Sequence, residues 1–195
     1  MNKIIFIIIF VFFNTQIWCD GSTQIELYDQ IIENDCIINI LSNGKYFYKI
    51  EIQNNFHKTK IETEWFSSRP FHGLGWINNN LLIINFGSGL NVNRCSYFYS
   101  KELHMLSNEY YLITVVDENN NLVLCADDYC VIYSIFYPER KFVLNALNFY
   151  DGGGIPFFRI GRNTRFEDKK IILEYYDEKN ELKTEIINLE NTILY

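Results

Sequence analysis

Apolar and polar side chains alternate with a period of two residues along much of this chain. Between 46 and 53 one set consists of Tyr46, Tyr48, Ile50 and Ile52, and the same alternation recurs between 60 and 65. Successive side chains of a β-strand point to opposite faces, so these segments predict strands with one buried and one wet face. Denser apolar runs at 81–86, 110–116 and 131–137 predict central strands that are buried on both faces.

Turn-forming residues separate the apolar segments. Ser42-Asn43-Gly44 predicts a hairpin between strands at 36–41 and 45–52. The asparagine runs at 78–80 and 119–121 and the polar segment Asp177-Glu178-Lys179-Asn180 predict later turns, and the last of these closes a C-terminal hairpin of 171–176 with 182–189. A short helix is expected only near Gln24–Glu33.

The spacing of these turns predicts an all-β domain of several antiparallel sheets. The turns lie near positions 43, 79, 120 and 180, which suggests units of about 40 residues. That length suits the blades of a partial or irregular β-propeller, and a β-sandwich is the alternative architecture. We expect a single all-β domain over residues 22–195.

The middle of the chain carries a resemblance. It reads LLIINFGSGLNVNRCSYFYSKELH from 81 and YYLITVVDENNNLVLCADDYCVIYSIF from 110. These segments resemble small exported bacterial proteins with propeller-like β blades, in which a Gly-Ser-Gly turn lies near a cysteine and a D-x-x-N-x-L-V strand follows. The resemblance covers about a third of the chain and implies a style of fold but no activity, because no site residues are established for that group.

The N-terminus has the pattern of a secretory signal. Lys3 gives a positive start, an unbroken apolar run extends from Ile4 to Phe13, and Asn14 ends it. As a helix this run would rise about 15 Å, roughly half of a bilayer core. We therefore expect a signal helix in residues 1–21, cleaved within Cys19-Asp20-Gly21. Lipid anchoring through Cys19 is disfavoured because Trp18 precedes it.

Charge narrows the choice of partner. The chain has 17 basic and 24 acidic residues, a formal net charge of −7. An acidic surface disfavours nucleic acid and anionic membranes, and it suits either simple solubility or a protein partner with a basic surface. No Asn-x-Ser/Thr glycosylation site occurs, which favours a bacterial protein in the periplasm or secreted medium.

Four cysteines would remain after cleavage, an even number in an oxidising compartment. Cys125 and Cys130 flank a four-residue loop, so we expect them to face each other across a hairpin and form a disulfide. Cys36 and Cys95 then form the second disulfide by elimination. The alternative is that some of the four are buried thiols. Neither a metal site nor any cofactor is expected.

No catalytic motif stands out. His57, His72 and His104 lie in three separate segments without ligand spacing and are expected to be structural or solvated. Gly87-Ser88-Gly89 is expected to be a turn, and a triad of Ser88 with His72 and Asp117 has no local support. The prediction therefore leans away from an enzyme.

Two loops are candidates for binding a partner. The segment 66–76 gathers Arg69, Phe71, His72 and Trp76 around glycines and a proline, side chains that often anchor protein interfaces. Asp127 and Asp128 form an acidic tip that could enter a basic cleft, although a packed crossover and ordinary turn chemistry are the alternatives.

The sequence is compatible with three functions. The favoured one is an exported non-catalytic protein-binding module, such as an inhibitor or an immunity-type protein, because rigid β scaffolds carry recognition on their loops. The alternatives are an envelope structural or assembly component and a hydrolase with a dispersed site. An exposed apolar edge strand would favour assembly, and a convergent polar pocket would favour the enzyme.

Overall fold

A computed structural model describes residues 25–44, 46–57, 59–68, 70–87, 95–126, 129–144 and 159–195. These residues form seventeen β-strands and no α-helix. The strands make four antiparallel sheets, each built from consecutive strands, so the all-β prediction is confirmed. The predicted signal segment, residues 1–21, lies outside the described residues. Within them, no helix has the length and apolar character needed to cross a membrane.

Sheet 1 holds the N-terminal strands of the described chain. Its strands are β1 (Glu26–Glu33), β2 (Cys36–Ser42), β3 (Phe47–Asn54), β4 (Lys60–Glu62) and β5 (Phe66–Ser67), and β4 and β5 both pair with β3. The predicted hairpin at 42–44 is confirmed, with Gly44 at φ 92°. The predicted helix near Gln24–Glu33 is wrong for the described residues: Glu26–Glu33 form β1, because Ile31 pairs with Ile38 in β2 and packs on the core.

Sheet 2 repeats this design. Its strands are β6 (Phe71–Trp76), β7 (Leu81–Phe86), β8 (Cys95–Ser100), β9 (Met105–Leu106) and β10 (Tyr110–Tyr111), and β9 and β10 both pair with β8. The run 81–86, predicted as a central strand, is β7 and has a neighbour on each side. Asn78 closes the β6–β7 turn, since its Oδ1 accepts hydrogen bonds from the backbone N–H groups of Asn80 and Leu81.

Sheets 3 and 4 complete the described chain. Sheet 3 contains β11 (Ile113–Asp117), β12 (Leu122–Ala126), β13 (Cys130–Ser134) and β14 (Lys141–Val143). Sheet 4 contains β15 (Arg165–Glu167), β16 (Lys170–Tyr176) and β17 (Leu182–Asn188). The pairing of β16 with β17 confirms the predicted C-terminal hairpin.

One strand predicted from the sequence is divided between two sheets. The run 110–116 forms β10, which pairs with β8 in sheet 2, and then β11, which pairs with β12 in sheet 3. Leu112 separates the two strands and adopts a left-handed conformation at φ 49°. Its carbonyl accepts a hydrogen bond from the Ala126 N–H, which ties the bend to sheet 3.

Three apolar cores connect the sheets in chain order. The first takes side chains from sheets 1 and 2, among them Ile38, Ile50 and Ile84. The second combines Leu81 and Phe98 of sheet 2 with Val123 of sheet 3. The third combines side chains of sheets 3 and 4. Sheets 2 and 3 are therefore buried on both faces, whereas sheets 1 and 4 each have one outer face that no described core covers.

Candidate functional site

The predicted Cys125–Cys130 disulfide is wrong, because the two side chains lie on opposite faces of sheet 3. Cys130 pairs with Ala126 and Cys125 pairs with Val131. Directly opposed residues share a face and neighbours alternate, so Cys130 faces sheet 4 and Cys125 faces sheet 2. Burial among apolar side chains raises the pKa of the Cys130 thiol to about 12.

The predicted Cys36–Cys95 disulfide is also wrong. Both side chains belong to the core between sheets 1 and 2, but no disulfide joins any of the four described cysteines. The Cys36 sulfur lies 4.0 Å from the Tyr99 hydroxyl, whereas the Cys95 sulfur lies 3.5 Å from the Ser68 hydroxyl. Tyr99 lies four positions after Cys95 along β8, which corresponds to about 13 Å of strand. Buried thiols, the alternative weighed for these residues, are what the structure contains.

The predicted binding loop at 66–76 is largely packed against the body of the protein. Phe71 contacts the rings of Tyr28 and Phe86 edge-on, with centroids 5.7 and 5.6 Å away. Trp76 packs on the first core and meets the Tyr99 ring at 6.4 Å. His72 is exposed on β6. Arg69, Asp127 and Asp128 lie outside the described residues.

A polar network links sheet 1 to sheet 2 at one end of the first core. The amide of Asn54, at the end of β3, donates hydrogen bonds to the Tyr99 hydroxyl at 3.0 Å and to the Lys101 carbonyl at 3.1 Å. The Tyr99 hydroxyl lies 3.1 Å from Nδ1 of His104, and Nε2 of His104 lies 3.0 Å from the Thr59 carbonyl. Because that carbonyl can only accept, Nε2 of His104 is the donor in this contact.

His57 and His104 come from separate segments of the sequence and are neighbours in this network. The rings of His57 and His104 stack with centroids 4.6 Å apart and an angle of 4°. They join the β3–β4 loop to the turn after β8. A shallow groove of about 290 Å³ lies beside them, lined by Asn54, His57 and Lys60 among others.

The chemistry available in this network is limited by burial. Cys36 is 1% exposed, and burial raises the pKa of its thiol, so the nucleophilic thiolate is disfavoured. Burial also raises the pKa of the Tyr99 hydroxyl. The described residues contain no cluster of three or more side chains able to hold a metal ion. The hydrogen bonds of the network tie the end of β3 and the β3–β4 loop to β8 and the turn after it.

Of the three residues named for a triad, Asp117 is engaged in a turn. Asp117 is buried, and its carboxylate accepts hydrogen bonds from the backbone N–H groups of Asn119 and Asn120, which shapes the β11–β12 turn. Ser88 lies outside the described residues. A site formed by Ser88, His72 and Asp117 therefore gains no support.

The outer face of sheet 1 carries exposed apolar side chains. The β1–β2 register places Leu27 opposite Leu41 and Ile32 opposite Ile37, on the face that points away from the core. Phe47 lies on the same face of β3. We call these five residues the outer stripe. Leu27, Ile32 and Phe47 are 56%, 69% and 43% exposed.

A lattice of ion pairs borders the outer stripe. Lys49 and Lys60 each contact both Glu51 and Glu62, with nitrogen–oxygen distances from 2.6 to 3.3 Å. Glu51 and Glu62 lie directly opposite each other on β3 and β4, so the two lysines screen a pair of like charges. The two ammonium groups hold the pKa of Glu62 at about 2.

β1 forms the edge of sheet 1 next to the outer stripe. It pairs only with β2, so its second backbone edge has no partner strand among the described residues. It carries Glu26, Asp29 and Glu33 and no basic residue, and no ion pair to these three is found within the described part of the chain. Period-two reasoning missed this surface because apolar residues occupy both faces of β1 and β2.

Sheet 4 offers a natural comparison. Ile186 of the edge strand β17 is 68% exposed, almost the same as Ile32, and Leu182 is 50% exposed. In β17, however, Lys183 forms ion pairs with Asp177 and Glu181, and Glu185 accepts a hydrogen bond from the Tyr175 hydroxyl. Comparison with known protein families gives no matching family model, and comparison with curated proteins gives no matching relative.

Proposed function

We propose that this chain is an exported, non-catalytic protein-binding module that engages its partner through the outer stripe and the β1 edge of sheet 1. The observation that carries the proposal is the exposure of Ile32, Leu27 and Phe47 together on one rigid sheet face. The hydrogen-bonded pair of Gln30 and Asn39 lies on the same face between Leu27 and Ile32. Non-obligate protein interfaces mix exposed apolar and polar side chains in this way.

Rigidity of the scaffold adds support. The opposite face of β1–β3 is fixed by fully buried side chains such as Ile38, Ile40 and Ile50. Strands anchored in this way hold an exposed face in one geometry, which lowers the ordering cost of binding. An inhibitor or immunity-type protein is the concrete form of this function that we favour.

A structural or assembly component of the envelope is the second candidate. An exposed apolar edge strand is the feature expected of an assembly component, and both β1, with Ile32, and β17, with Ile186, are such strands. Two uncovered terminal sheets would allow the chain to join neighbours on both sides. A binding module needs only sheet 1. A hydrolase receives no comparable support, since the network around His104 is engaged by Tyr99 and Thr59.

We also infer that the four sheets are layers of an irregular sandwich. Leu112 alone separates β10 from β11, and one residue is too short to carry a chain across the four strands of a propeller blade. Strands that bend from one sheet into the next are typical of orthogonally packed sandwiches.

A photoreactive amino acid tests the proposed function in cells that make the protein. Incorporated at position 32, it should crosslink one discrete partner, while the matched position 186 should give no such adduct. A partner crosslinked only from position 186, or adducts of equal yield from both positions, would favour the assembly component instead. No adduct from position 32, 27 or 47 would reject the proposal.

A further inference from the structure

We propose that the partner contributes a β-strand with alternating apolar and basic residues, which pairs with the free edge of β1. This inference rests on the proposed function and specifies how the same surface is used. The segment of β1 that suits such pairing is the regular one, from Asp29 to Glu33, which follows the bulge between Leu27 and Asp29.

The bulge fixes this segment in place. Tyr28, the extra residue, turns towards the core side, where its ring meets Tyr48 and Phe71 edge-on at 5.9 and 5.7 Å. Bulges of this kind re-aim one side chain and bend the strand. The five residues beyond it keep an unbroken register with β2, so their backbone is extended and straight.

The direction of the free backbone groups follows from the hydrogen-bond ladder. The Asn43 N–H donates to the Phe47 carbonyl, and the Asn55 N–H donates to the Asp35 carbonyl. In the β2–β3 register, the backbone N–H and C=O groups of odd-numbered β2 residues therefore point towards β3, and those of even-numbered residues point towards β1. Cys36, Ile38 and Ile40 therefore bond to β1. The N–H and C=O groups of Gln30 and Ile32 consequently point away from β2, towards the free edge.

The carboxylate of Asp29 occupies one of the outward-pointing N–H groups of β1. The Asp29 side chain accepts a hydrogen bond of 2.8 Å from the Gln30 N–H, one of the two amides that point outwards. A lysine or arginine of an incoming strand would pair with Asp29 and release that N–H to the new strand. Glu33 offers a second carboxylate four residues further on and on the same face of the strand, with Ile31 between them.

Charge also decides against a second copy of the chain as the occupant. Pairing β1 with β1 of another molecule would bring six carboxylates together, three from each strand, and no basic residue from either. Like charges on opposed strands are destabilising. Basic side chains at alternate positions would neutralise Asp29 and Glu33, while the apolar ones between them extend the outer stripe.

The test uses a capped seven-residue peptide of alternating lysine and valine, with the full chain. Three comparisons define the mode of binding: the same peptide with glutamate for lysine, the peptide N-methylated at alternate residues, and the charge-reversed variant D29K/E33K. We expect the glutamate and N-methylated peptides to bind at least about tenfold more weakly, because each loses ionic or backbone hydrogen bonds. The charge-reversed variant should prefer the glutamate peptide.

Several results would overturn strand addition. Equal binding of the N-methylated peptide would show that the backbone edge is not used, and equal binding of the glutamate peptide would remove the charge argument. Absence of binding at millimolar peptide would reject strand addition to β1. If crosslinking from position 32 still succeeded, the proposed binding function would be retained without this mode of recognition. Self-association that the I32K variant abolishes and I186K retains would identify a second copy as the occupant.

Discussion

Cys125 and Cys130 face opposite sides of sheet 3, one towards sheet 2 and the other towards sheet 4. The β12–β13 register produces this separation, because Cys130 lies opposite Ala126 and not opposite Cys125. A shift of one residue along a strand moves a side chain to the other face. Two cysteines that flank a short loop are therefore not within disulfide reach by spacing alone.

The register predicts that A126C forms a disulfide with Cys130. The Ala126 N–H bonds to Leu112 and the Cys130 carbonyl accepts from Leu144, so the backbone groups of both residues point away from each other. Such non-hydrogen-bonded pairs have Cα atoms about 4.5 Å apart, within disulfide range. Mass spectrometry of unreduced peptides checks this, and a Cys125–Cys130 bond in the unaltered protein would contradict the register.

Loss of the Asn54–Tyr99 hydrogen bond should destabilise the fold. Asn54 is 2% exposed, and its replacement by leucine leaves the Tyr99 hydroxyl and the Lys101 carbonyl without this donor. We expect a loss of about 1–3 kcal/mol in the free energy of unfolding, measured with urea. N54L combined with Y99F should lose less than the sum of the two single changes; strict additivity would show that the two groups are not coupled.

Core and surface isoleucines should differ sharply on truncation. Ile38 is fully buried between sheets 1 and 2, so I38A should cost about 2–5 kcal/mol in the free energy of unfolding. I32A should change it by less than about 0.5 kcal/mol, because Ile32 is 69% exposed. If chemical denaturation showed a similar loss of unfolding free energy for both variants, Ile32 would have to be buried and not exposed.

The ion-pair lattice should stabilise sheet 1 at neutral pH and fail in acid. The pKa of Glu62 is lowered from its ordinary 4.5 to about 2 by Lys49 and Lys60, so its contribution is present above pH 4.5 and is lost as the pH falls towards 2. The unfolding midpoints of the unaltered protein and E62Q should converge over that interval. Solvent exposure and salt screening keep the difference between the two midpoints small. A difference that stays constant down to pH 2 would show that ionised Glu62 does not stabilise sheet 1.

Much of the fold could be predicted from alternation and turn residues. The hairpins around Gly44 and between β16 and β17 follow from local chemistry that no distant contact opposes. The bend at Leu112 could not be predicted, because a leucine in left-handed conformation is imposed by packing between two sheets and not by its own preference. The helix expected near Gln24–Glu33 failed because a short apolar pattern fits either element until a partner strand decides.

The candidate site was less accessible to sequence reasoning. Ile31 and Ile32 are identical and adjacent, yet Ile31 packs on the first core and Ile32 is exposed. Only the β1–β2 register distinguishes them. The absence of basic residues from β1 was a signal in the sequence, but its meaning depends on β1 being an edge strand.

Amide hydrogen exchange of the complex with the protein captured from position 32 tests the central claim most directly. The outward N–H groups of Gln30 and Ile32 should exchange about tenfold or more slowly in the complex, because the new strand bonds to them. The amides of β17 should be unchanged. Protection confined to β17, or none at Gln30 and Ile32, would contradict recognition through the edge of sheet 1.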